Sequence, residues 1–154
     1  MLKLQKIHLL KLSALISAVG VMIHIAAIFG GASWYYFFHA PPIVVASAKA
    51  GTWLAPTGAL LIAAAMALCC AYALSAAQLI RRLPLLRWGL ASMATVCLLR
   101  VAILIPVAMY RPSLIDTFEI IASTCWFLAG LGFFVGWRSC AERATLIEQN
   151  EKIG

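Results

Sequence analysis

Charge is what this chain has least of: 11% of its 154 residues are Asp, Glu, Lys or Arg, and only five are acidic. A soluble domain carries about 25% charged residues, so a water-facing globular fold is excluded. Catalytic signatures are missing as well. There is no GxSxG, HExxH, P-loop or pair of aspartates, and the lack of nucleophile–base spacing counts against an enzyme. The five cysteines (Cys69, Cys70, Cys97, Cys125, Cys140) contain no CxxC and no Cys/His metal spacing. They read as small apolar packing residues, and no metal or cofactor is expected. Internal repeats and low-complexity stretches are absent too.

What is present is apolar. Hydrophobic residues make up 64% of the chain and mean hydropathy is +0.99, the composition of an integral membrane protein. A crossing helix needs about 20 apolar residues. Four runs qualify, at about 12–29, 54–80, 88–109 and 117–137, followed by a polar tail over about 139–154. Open strands cannot satisfy their backbone in lipid. The expected fold is therefore all-α, a four-helix antiparallel transmembrane bundle forming one domain over 1–154. The first run is too long for the apolar region of a signal peptide and is expected to stay in the protein.

Lysine and arginine counts give direction. Lys3, Lys6, Lys11, Arg81, Arg82, Arg87, Arg138, Arg143 and Lys152 fall on one side, and only Lys49 and Arg111 on the other. Positive residues stay inside, so both termini are expected in the cytoplasm. The net charge of +7 is thereby a topology signal and not one for nucleic acid. Trp34, Tyr35, Tyr36, Trp53, Trp88, Tyr110 and Trp137 lie near run ends, where amphipathic rings favour the interface.

The turns over 81–87 and 110–116 are short, which makes the flanking helices antiparallel neighbours. The long connection, 30–53, contains Pro41-Pro42, an apolar stretch and Gly51. Proline in a first turn and glycine past the end predict a short periplasmic interfacial helix there.

Tyr72-Ala-Leu-Ser75, Ile80-Arg-Arg-Leu-Pro-Leu-Leu-Arg87, Leu98-Leu99-Arg100 and Gly31-Ala-Ser-Trp-Tyr35 resemble a group of small four-span bacterial inner-membrane proteins. The resemblance implies a multi-pass bacterial inner-membrane protein and brings no family chemistry with it. The arginine–asparagine–glutamate pattern of the four-span eicosanoid and glutathione transferases is absent from the second run.

The candidate site is built around Arg100. An arginine at mid-membrane costs roughly 2.5–3.5 kcal/mol on insertion scales, so it faces the protein interior and takes a partner. Ser13, Ser17, Gly20 and His24 share one stripe of the first run, and small residues mark helix contacts. Asp116, Glu119, Ser123 and Trp126 share a stripe of the fourth. Glu119 is the expected counter-charge for Arg100, and Pro106 frees a backbone carbonyl on the same helix as the arginine. The expected ligand-binding set is Arg100, His24, Glu119, Trp34 and Tyr35, with the Trp34–Trp53 segment as a lid. In one reading these groups satisfy one another and fix helix register. In the other they form a periplasm-facing pocket for an anionic small molecule, a lipid headgroup or a protein partner.

The function expected is a non-enzymatic binding or accessory protein with membrane lipids around it. Alternatives are an oligomeric small transporter or channel subunit, and a membrane enzyme acting on lipid headgroups with His24 or Glu119 as base. Gly132-Phe-Phe-Val-Gly136 is a GxxxG motif suited to packing within the chain or to a homo-oligomer.

Overall fold

In a computed structural model, residues 2–111 and 115–153 are described, with side chains over 4–111 and 115–142. Five helices follow in order: α1 (Leu2–Phe37), α2 (Pro42–Lys49), α3 (Leu54–Ala76), α4 (Leu86–Tyr110) and α5 (Thr117–Ile153). Four are long and apolar enough to cross a membrane, over Leu4–Phe37, Leu54–Ala76, Leu86–Tyr110 and Thr117–Glu142. No strand occurs among the described residues. This is the all-α architecture expected for a multi-pass chain.

The boundaries differ from the hydropathy runs for local reasons. α1 is broken at Gly31, whose φ of 65° and ψ of −156° are non-helical. That backbone favours glycine, and helical geometry then resumes as far as Phe37. α3 stops at Ala76 although the apolar run continues to Ile80. Gln78 adopts φ 62°, and the Leu79 N–H donates to the Leu74 carbonyl at 3.0 Å while that of Gln78 donates to Ser75 at 3.1 Å. This is a Schellman closure with a non-glycine residue at its left-handed position. Ser75 then secures the turn: its hydroxyl donates to the Arg81 carbonyl at 3.2 Å and accepts the Leu83 N–H at 3.0 Å. The short α2 forms where expected, with Pro42 in its first turn and Gly51 past its end at φ 66°. α5 continues past Trp137 to Ile153. The expected 110–116 turn includes residues 112–114, which lie outside the described residues, as do the side chains of Arg143 and Lys152.

The chain divides into two compact units. The first comprises 1–16 and 69–154. Its core is Ala14, Ala73, Leu86, Leu90, Ala94, Cys97, Ala129 and Phe133, with Cys69, Cys70, Trp126 and Cys140 packed against it. α5 runs antiparallel to α4, with Gly130 against Cys97 and Gly136 against Leu90. It is also antiparallel to the start of α1, where Ser13 meets Ala129 and Lys6 meets Glu142, and Gly132 and Gly136 pack on Leu9 and Leu10 between them. A Cβ at Gly132 would lie 2.7 Å from the Leu9 carbonyl oxygen, so the absence of a side chain sets the helix separation. The Ser13 hydroxyl donates to the carbonyls of Leu9 and Ala129, each at 3.1 Å. At the far end of this seam Lys6 Nζ pairs with Glu142 at 3.3 Å. The GxxxG pair is therefore buried inside the chain, one of the two arrangements its sequence allowed.

The second unit, 17–68, clusters Ala27, Tyr35, Val45, Ala55 and Ala59. Here α2 is tied to the start of α3. The Ser47 hydroxyl lies 2.6 Å from that of Thr52 and accepts the Ala55 N–H at 3.0 Å. The Gly20 face of α1 lies against Met66 of α3.

Candidate functional site

The buried stripe of α4 is Leu86, Leu90, Ala94 and Cys97, spaced four, four and three residues apart, one face of a helix. It ends there. Arg100 is the next residue on that face, and nothing from Val101 to Arg111 is fully buried. The guanidinium is thus placed where the packed core stops.

Its partner is Glu119: Nη2 of Arg100 donates to Oε1 of Glu119. The side chains are 39% and 19% exposed respectively, so the acid is more enclosed than the base. Both residues are drawn out along the helices to meet. From the pairings of Cys97 with Gly130 and Leu90 with Gly136, the α5 residue level with Arg100 is close to Phe127. Glu119 lies about 12 Å further toward the α4–α5 connection at 1.5 Å per residue. The arginine side chain extends toward that end, as long cationic side chains do in membranes, and the glutamate reaches back.

Glu119 is itself positioned by a cap. The Asp116 carboxylate accepts the Glu119 N–H at 2.9 Å, leaving Glu119 in the first turn of α5. A helix N-terminus carries partial positive charge and favours carboxylates. The sequence Asp116-Thr-Phe-Glu119 thereby fixes both the start of α5 and the counter-ion.

One turn further along the same face, Ser123 is 4% exposed. Its hydroxyl has no hydrogen-bond partner among the described residues. Other hydroxyls within these helices turn back onto the preceding turn: Thr95 onto Ala91 at 2.9 Å, Thr124 onto Ile120 at 2.8 Å and Ser139 onto Val135 at 2.9 Å. Ser123 does not. By the register above it falls along the track of the Arg100 side chain, between that residue's level and Glu119.

The remaining residues of the candidate set belong to the other unit. His24 is half-buried, and its Nδ1 lies 2.8 Å from the Gly20 carbonyl. In the tautomer that donates there, Nε2 is left as an acceptor. Trp34 is 44% exposed, folded back over Gly30 and 6.0 Å from the Phe38 ring. Tyr35 is 7% exposed within the Ala27–Val45–Ala59 cluster, with no partner for its hydroxyl among the described residues. Arg100 and Glu119 are thus brought together as the residue types demanded.

Sequence reasoning missed two features. One is the unpaired state of Ser123, whose place on the Glu119 stripe was visible but whose missing back-bond was not. The other is an open groove of about 560 Å³ along Phe134, Trp137, Arg138, Ala141 and Glu142. Its spacing of three, one, three and one residues along α5 marks a single helix face, a signal present in the sequence.

Compared with known proteins, the chain matches no family model, no curated protein and no solved structure.

Proposed function

We propose that this chain is a multi-pass protein of the bacterial inner membrane that binds an anionic group, a phosphate or carboxylate, at Arg100, and that it is not an enzyme. The supporting observation is the unequal pair: Glu119 holds one side of a guanidinium whose side chain remains 39% exposed. Arginine presents five N–H donors in a planar fork, and Glu119 engages it at Nη2. Ser123 adds a hydroxyl with no partner among the described residues. An incoming anion would be met by fixed donors in a place of low dielectric, where charge-assisted hydrogen bonds are strong.

Orientation follows the same logic. Gly136 meets Leu10, Ala76 and Leu90, so the start of α1, the α3–α4 turn and the end of α5 share one end of their unit. That end gathers Lys6, Arg81, Arg82, Arg87 and Arg138, the pattern of a cytoplasmic face. Arg100 then opens toward the periplasm.

The test is binding to protein in nanodiscs of zwitterionic lipid. Inorganic phosphate and short-chain phosphatidylglycerol are titrated separately, which distinguishes a free anion from a headgroup. Saturable binding of one probe, lost in Arg100→Ala and weakened about tenfold or more in Arg100→Lys, is the expected result. Equal binding by wild type and Arg100→Ala refutes the reading.

A further inference from the structure

The groove on α5 differs in kind from the Arg100 site. It lies at the end of the fourth apolar span, where Trp137 gives way to Arg138-Ser-Cys-Ala-Glu142. Its floor is aromatic: the Phe134 and Trp137 rings are 5.5 Å apart at 45°. Its rim is ionic, with Arg138 and Glu142 lining it. Arg138 is exposed and makes no ion pair among the described residues. Glu142 is neutralised across the seam by Lys6 at 3.3 Å, so the rim carries a net positive charge.

We infer that this groove is a binding site for one anionic phospholipid, its phosphate on Arg138 and the upper part of its acyl chains against Phe134 and Trp137. Three observations converge on that occupant. Tryptophan at a span end sits at headgroup depth, as interfacial anchors do. Beside it, Arg138 offers planar two-point recognition of a phosphate, and basic pockets at the cytoplasmic ends of membrane helices take up anionic headgroups in this way. Finally, the Lys6–Glu142 pair removes the charge that would repel such a headgroup. Zwitterionic lipids present the same phosphate with a compensating cation, so the groove discriminates by net charge. The site is independent of Arg100 and of the ligand bound there.

The experiment is native mass spectrometry of the whole chain released from nanodiscs containing equal dioleoyl-phosphatidylglycerol and dioleoyl-phosphatidylcholine. Wild type is expected to retain one phosphatidylglycerol in preference to phosphatidylcholine. Arg138→Gln should lower that retention about fivefold, the effect of one basic residue near an anionic surface, with an unchanged melting temperature. Lys6→Ala should lower it as well, because it uncovers Glu142. The loss caused by Arg138→Gln should be the same in an Arg100→Ala background, which separates this site from the proposed anion site. Retention equal for the two lipids, or unaffected by Arg138→Gln, overturns the inference. So does displacement of the lipid by millimolar inorganic phosphate, which would mark a site for a free anion. A phosphatidylglycerol-independent dimer abolished by Arg138→Gln would assign the groove to a second copy instead.

Discussion

The two halves of α4 are held by different physics. From Leu86 to Cys97 the helix presents a continuous buried stripe, and α5 answers it with Ala129, Gly130, Phe133 and Gly136. From Val101 to Tyr110 no side chain is fully buried, and where that half begins Arg100 pairs with Glu119. Close approach of small residues secures the first half, since lipid tails are as apolar as leucine and offer no hydrophobic push. In the second half, one directed electrostatic contact stands where packing is thin. The contrast shows why a polar group sits at mid-membrane here. It occupies ground that tight packing leaves open, and it keeps part of its surface available.

The sharpest way to break this contrast is in the packed half. Gly132→Leu forces a side chain onto the Leu9 carbonyl, a backbone atom that cannot rotate aside. A loss of about 3 kcal/mol, the upper end for overpacking, should appear in thermal unfolding of the detergent-solubilised protein. A melting temperature within error of wild type would show that α1 and α5 do not lie as close as described.

Less costly but more informative is a cycle of Arg100→Ala, Glu119→Ala and the double variant. Neighbouring charges couple by about 0.5–3 kcal/mol, and partial exposure places this pair near the middle, about 1–2 kcal/mol. Single variants should each be worse than additivity with the double predicts, because each strands a charge in a medium of low dielectric. Strictly additive unfolding free energies would remove the pair from any structural role.

The smallest effect belongs to Lys6 and Glu142, 40% and 57% exposed. Lys6→Ala should cost about 0.5 kcal/mol or less, and about 0.5 M salt should erase the difference by screening. A cost that persists at high salt would mean the pair is more enclosed than its exposure indicates.

The number of crossings was legible because run length alone sets it, and α2 was legible because Pro42 and Gly51 punctuate it. The Arg100–Glu119 pair was legible for another reason. With so few charges on these spans, the cation had few candidates for a partner. Helix ends were less so. Leu79 and Ile80 are as apolar as anything before them, yet α3 ends at Ala76 because Gln78 takes a left-handed backbone and Ser75 relays two hydrogen bonds across the turn. Hydropathy carries no record of that geometry. At Gly31 the punctuation was visible, while the return to helix beyond it was not. Ser123 shows the remaining gap: spacing placed it on the right face, but only coordinates reveal which hydroxyls turn back and which do not.

Ser13 carries a consequence for how the protein is made. Its second acceptor, Ala129, is 116 residues downstream, which at about 5–20 residues per second means a wait of roughly 6 to 23 seconds while the ribosome extends the chain. Throughout that delay the Leu9 carbonyl on the preceding turn already accepts the hydroxyl proton. Ser13 therefore enters the bilayer with its own donor satisfied, and the last helix to emerge closes a seam prepared for it in advance.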